Sequence, residues 1–221
     1  MTVTTKDTTA LNDSELAEMA DLCGEREPRF DIGFLSKQRE EWVLITQARE
    51  GRKLRGYSFC TLERIGGTPS LLIGIALIDR NAKSDTTLKA ILHDQFRRAL
   101  LAFPDEDVLL GARLITPDGL RAFTGLSDIV PRLEYKPTGE DRAWGRRLAK
   151  RFGSEKSIDD KTFVMSVSEG PVGGLDYVAS RASLPEGADV LFKGLKPDKG
   201  QRLVVFGWAM AEQLAAGKLP K

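Results

Sequence analysis

The stretch over residues 70–103 constrains this chain more than any other. It joins an almost wholly apolar run (70–79), a short polar turn (80–85) and an amphipathic segment beginning at Thr86. An apolar run with no polar face reads as a strand buried on both sides. Leu88, Ile91, Leu92, Phe96, Ala99 and Leu100 then recur at helical spacing until Pro104 ends the helix. A strand that delivers its end to the start of a helix also presents backbone N–H groups to an anion. The unit therefore sets the centre of the core and marks where a ligand would sit.

The flanking sequence extends this unit into a sheet. Upstream, residues 42–48 alternate around Trp42, Leu44 and Thr46, and residues 54–64 around Tyr57, Phe59 and Thr61. Turns at Glu50, Gly51, Arg52, Lys53 and at Gly66, Gly67, Thr68, Pro69 are short, which makes the three strands an antiparallel meander. Downstream, residues 107–115 read as a strand parallel to the third, because a crossover helix precedes it. Thr116, Pro117 and Asp118 open a short helix carrying Leu120, Phe123 and Leu126.

At the N-terminus, Asn12 and Glu15 form a capping-box signature with Leu11 placed to staple onto Leu16, and Leu16, Met19, Ala20 and Cys23 share a face. Gly24 ends that helix in the left-handed conformation, and the residues before Leu11 are expected to be a disordered lead. A second helix is expected over 31–41, its start blurred by Pro28 and Gly33.

After Pro131 the pattern changes. Pro131, Pro137 and Gly139 suggest a connector, residues 140–152 a helix with Trp144, Leu148 and Phe152 on one side, and 161–167 and 201–208 strands. Residues 209–216 read as a closing helix ended by Gly217. The expected fold class is α/β (α+β): a mixed, mainly antiparallel sheet flanked by helices over 1–130, with 131–221 an extension packed on that core.

Charge and reactive residues narrow the function. Lys and Arg total 33 against 32 for Asp and Glu, so there is no general attraction to nucleic acid or anionic membrane. Arg142, Arg146, Arg147, Lys150 and Arg151 form a local basic flank, read as a solvated helix face for want of interleaved aromatics. His93 is the single histidine, expected on a solvated helix position, so no histidine metal cluster or relay can be built; no GxSxG is present. Cys23 and Cys60 lack metal-ligand spacing and read as buried hydrophobes. Gly170, Pro171, Gly173 and Gly174 read as a turn, lacking the GK[ST] ending of a phosphate loop. The polar residues 1–9 have no signal-peptide core and no run reaches the roughly 20 apolar residues of a membrane span, so a cytoplasmic location with no membrane partner is expected.

The element order over roughly residues 11–126, with its strand, anion-facing turn and helix, resembles the GNAT superfamily of acyl-CoA N-acyltransferases in pattern. In that family the fourth strand carries a bulge and splays from the fifth, and acyl-CoA enters the gap. The resemblance makes 70–79 the fourth strand and 108–115 the fifth, with Gly74 the natural bulge. The family's pyrophosphate loop follows an RxxGxG frame. Here Arg80 is kept, while the two glycine positions hold Lys83 and Asp85.

The resemblance implies acetyl-CoA or another acyl-CoA as co-substrate and an amine as acceptor. Backbone N–H groups near Ile78 would polarise the thioester, and Arg80, Lys83, Ser84, Thr86 and Thr87 would hold the pyrophosphate. Asp85 is read as the helix cap. Glu63 and Asp79 are the carboxylates available as base. Where many members carry a tyrosine to protonate the leaving thiolate, this chain has Phe123, whose ring cannot donate a proton. The alternatives are a catalytically inactive binding or scaffold module on the same fold, or a binder of nucleic acid or an acidic partner through the basic flank.

Overall fold

The structure, a computed structural model, describes residues 1–26, 29–153, 158–167, 172–181 and 183–219. Pro28, Gly170 and Pro171 lie outside the described residues. The elements in chain order are β1 (Thr2–Asp7), α1 (Asp13–Cys23), α2 (Ile32–Glu41), β2 (Leu44–Glu50), β3 (Lys53–Ile65), β4 (Thr68–Ile78), α3 (Ser84–Ala102), β5 (Val108–Leu114), a 3-10 turn (Pro117–Phe123), β6 (Ser127–Val130), α4 (Gly139–Arg151), β7 (Val164–Ser166), β8 (Leu175–Asp176), α5 (Ala188–Leu191), β9 (Gln201–Ala209) and α6 (Ala211–Ala215). The strands form one mixed, mainly antiparallel sheet in the order β1-β2-β3-β4-β8-β5-β9-β6, with β7 also on β9. Helices flank this sheet, which gives the α/β class expected.

β2, β3 and β4 form the meander, and β5 runs parallel to β4 after the α3 crossover. Between β3 and β4, Phe59 faces Ile75 and Cys60 faces Ile73, leaving Gly74 as the extra residue of a bulge. A Cβ on Gly74 would lie 1.9 Å from the Trp42 ring, so the missing side chain is what lets the indole lie against the sheet.

The register assigns the layers. Ser58 accepts from Gln95 of α3 at 2.9 Å, which places α3 on the face of Ser58 and Ala76. Leu72, paired with both Thr61 and Gly111, points to the other face, where Leu148 of α4 packs against Gly111. α1 covers the meander on that same face, its Cys23 beside the buried Tyr57. Asn12 and Glu15 make the capping box of α1. Gly24 closes the helix at φ 60°, ψ −135°, a glycine conformation outside the left-handed helical region.

Two expectations are corrected. The N-terminal residues are not a disordered lead: Thr2–Asp7 pairs antiparallel with β2. Threonine and valine fit a half-exposed edge, and Thr5 Oγ1 donates to Asp94 of α3 at 2.6 Å. Gly173 and Gly174 do not make a turn but lead directly into β8.

Candidate functional site

β4 and β5 stay paired only as far as Ile73 and Ala112, after which they separate. The gap is filled by the chain itself. Leu175 of β8 lies between the strands, paired with Ala76 on one side and Leu114 on the other, and Asp176 pairs with Leu77. Ala76 N donates to Gly174 O and Ile115 N to Leu175 O, each at 3.1 Å. Added Cβ atoms would meet Gly74 O at 2.9 Å from Gly173 and Arg113 O at 2.9 Å from Gly174. Only glycine can pass so close to two backbones.

The segment is anchored along its length. Asp176 is 1% exposed; its Oδ1 accepts from Arg80 Nη2 at 3.1 Å, and Oδ2 lies 3.9 Å from Arg26 Nη1. Arg26 Nη1 also donates to Ile78 O at 3.1 Å. Thr116 Oγ1 donates to Tyr177 O, and Ala179 N donates to Asp118 Oδ2 at 3.1 Å. Asp85 Oδ1 accepts from the Tyr177 hydroxyl at 2.5 Å and from Ser180 N at 3.0 Å, and Oδ2 accepts from Ser180 Oγ at 2.8 Å. Burial alone would raise the Asp85 pKa, but these hydrogen bonds outweigh it and hold the carboxyl down to about 2. Burial, then the bond to Asp85, raises that of Tyr177.

Asp85 is therefore not the helix cap. Lys83 occupies the cap position without a side-chain bond, and it is Asn81 Oδ1 that accepts from Lys83 N, at 2.6 Å. Asp85 is the second residue of the helix, where its carboxylate reaches across to residues 177 and 180.

The other residues named from sequence are dispersed. Lys83 pairs with Glu50, whose pKa is lowered to about 2 by the hydrogen bond from Lys83 and then by that from Arg55. Arg55 also holds Asp79 at 2.9 Å. Ser84 is buried with its Oγ unpartnered among the described residues, and Thr87 Oγ1 donates back to Lys83 O at 3.0 Å. Thr86 is exposed. The backbone beside Ile78 lies along β8 rather than open space. Glu63 pairs with Arg151 at 2.7 Å, opposite Ser70 near the β3–β4 turn. Ile78 faces Gly56, seven residues away along β3 and hence about 23 Å distant. The fold does not bring Glu63 to Asp79.

Phe123 is fully buried, in a 3-10 turn rather than an α-helix. His93 is exposed. The basic flank of α4 is engaged locally: Arg142 bonds Pro137 O, Arg146 pairs with Asp160, Arg147 lies over Trp144, and Arg151 over Trp42. No helix among the described residues is long and apolar enough to cross a membrane.

Asp176, Tyr177, Ser180 and Arg26 form the site together with Arg80 and Asp85, and sequence reasoning passed over those first four. The signal available was the glycine pair ahead of Leu175, which marks close backbone approach as readily as a turn.

No family model matches the chain, and no curated protein matches it. Solved structures similar to it include the aminoglycoside 6'-N-acetyltransferase from Enterococcus faecium, at 14% identity and TM-score 0.41 over 58% of this chain and 67% of that one. The ribosomal-protein-S18-alanine N-acetyltransferase from Escherichia coli is similar at 12% identity and TM-score 0.38, over 63% and 86%. Likenesses this distant carry no functional argument; the architecture stands on its own strand order, bulge and fork.

Proposed function

We propose that this chain is a binding module built on an acyltransferase-like sheet, with the gap used for acyl-CoA in the family it resembles given over to its own chain. The observation that carries this reading is β8 lying between β4 and β5, with Asp176 beneath Arg80. Vacating the gap would expose Val172 and Leu175, which are 4% and 0% exposed. That costs about 3–6 kcal/mol for the two side chains before any hydrogen bond is broken. An acyl-CoA with an intrinsic micromolar affinity, about −8 kcal/mol, would be left at about 0.2–25 mM, and weaker still once those hydrogen bonds are counted. The turn offers little in return, since Arg80 and Lys83 already hold carboxylates.

A second reading retains the reaction implied by the resemblance, transfer of an acyl group from acyl-CoA to an amine. One observation favours it: Arg80 and Arg26 converge on a carboxylate at the mouth of the gap, where a phosphate would find the same two cations.

Thermal unfolding against CoA, acetyl-CoA, propionyl-CoA and longer-chain esters separates the two. The binding-module reading expects no shift up to millimolar ligand. A rise in the midpoint that disappears on replacing Arg80 and Lys83 with alanine would overturn it in favour of acyl transfer.

A further inference from the structure

A cavity of about 570 Å³ opens between α2, the end of α4 and the fork, on the sheet face opposite α3. Its lining includes Asp31, Phe34, Lys37, Glu41, Arg113 and Phe152. This volume falls within the range of small-molecule sites. It is distinct from the gap filled by β8, although Gly173 borders both.

Arg113 gives the cavity its chemistry. The residue is 5% exposed, and its guanidinium lies over the Phe152 ring at 4.8 Å. Nη1 donates to Phe152 O at 3.3 Å and Nη2 to Gly74 O at 3.0 Å, while Nε has no partner among the described residues. A guanidinium has five N–H donors, so most of this fork is uncommitted. No carboxylate among the described residues makes an ion pair with it. Burial, then repulsion from Arg202, pushes its pKa down to about 9, which leaves it charged at neutral pH.

Arg202, the other buried arginine of this region, shows what a complete shell looks like. Its guanidinium donates to the carbonyls of Gly173, Pro197, Gln201 and Val172. Arg113 has half that many acceptors and lines the cavity. Glu41 attracts it from the mouth without pairing; a buried charge without a paired counterion is costly, and an anion entering the cavity would relieve that cost.

The rim selects among anions. Lys37 adds a cation, but Asp31 and Glu41 stand beside it, and Asp31 is fixed in place by accepting from Phe34 N at 2.7 Å. Two carboxylates at the mouth oppose a dianion more than a monoanion. Phe34 and Phe152 add aromatic wall, suited to a ligand with an apolar body.

We propose that this cavity binds a small monocarboxylic acid, its carboxylate against Arg113 and its apolar body between Phe34 and Phe152. The proposal rests on the chain being a binding module, and the two fail separately. A CoA-dependent shift overturns that reading; a missing acid response without any CoA response overturns the cavity alone.

The test is thermal unfolding and calorimetry of the full chain with hexanoate and phenylacetate, using hexanamide and phenylacetamide as neutral isosteres and inorganic phosphate as the dianion control. Either acid should raise the midpoint by about 3 °C near ten times its Kd, with no response to the amides or phosphate. Arg113→Met should abolish the response. Because that variant leaves two carbonyls unpaired and can fail to fold, Lys37→Glu on the exposed rim serves as the second probe and should weaken acid binding at least threefold. Equal response to acids and amides, no response to either acid, or unchanged acid affinity in Lys37→Glu would overturn the proposal.

Discussion

One short segment fills the gap and borders the cavity, and the two regions treat buried charge in opposite ways. In the gap a single buried carboxylate, Asp176, faces two cations, Arg80 and Arg26. In the cavity a single buried cation, Arg113, rests on two carbonyl oxygens and the Phe152 ring, with Glu41 attracting it but making no ion pair. A carboxylate with two arginines has its counterions already and gives an incoming anion nothing to complete. A guanidinium resting on neutral dipoles is stabilised less than an ion pair would stabilise it. Of these two regions, the buried charge left without an ion pair lies at the cavity and not at the gap.

The sharpest way to break this contrast is Gly74→Ala. Gly74 forms the bulge that opens the fork, and its carbonyl holds Arg113. A methyl group at 1.9 Å from the Trp42 ring must move either the indole or the strand, so urea unfolding should show a loss of about 3 kcal/mol or more.

Asp176→Ala comes next, with an expected loss of about 1–3 kcal/mol as Arg80 and Arg26 lose their shared acceptor. It should also convert the gap into a region of the other kind. Pyrophosphate should raise the midpoint of this variant while leaving the parent chain unmoved, and an equal response from both would erase the distinction drawn between the regions.

Acid provides a third, graded test through Asp85. Its folded pKa of about 2 lies below the ordinary 3.8, so it binds its proton less readily in the folded chain than in the unfolded one. The stability from this group is complete above about pH 4 and is lost as pH falls towards 2. Asp85→Asn should flatten that part of the pH–midpoint curve, with solvent screening keeping the effect modest. The smallest effect is expected at Tyr57, whose buried hydroxyl has no partner among the described residues. Tyr57→Phe should be neutral or stabilising by up to about 1 kcal/mol, as read by the urea midpoint.

Local rules made much of the fold legible and left the gap obscure. The apolar β4, the Gly74 bulge, the α3 stripe and the Asn12–Glu15 capping box each depend on neighbours close in sequence or on simple alternation. β1 escaped because polar threonines look alike in an edge strand and a free tail; what orders them is pairing with β2, some forty residues on. Asp85 was misplaced for a similar reason, since an aspartate near a helix start suggests a cap, while its partners lie beyond residue 175. The uncommitted fork of Arg113 was not legible either. An arginine in an apolar strand gives no sign of whether a carboxylate awaits it, and only the packing of α2, α4 and residue 173 decides that.

The position of β8 in the chain has a consequence for synthesis. Both walls of the gap, β4 and β5, are complete by Leu114, yet Leu175 follows only after roughly sixty more residues. At ribosomal rates that is an interval of about 3–12 seconds. Any pairing of β4 with β5 during it leaves two apolar strands diverging from a fork with nothing between them. The strand that closes them is two residues long and preceded by two glycines, so it has little structure of its own to form before it docks. The open fork is thus a temporary edge, most exposed to pairing with another chain before the molecule supplies its own.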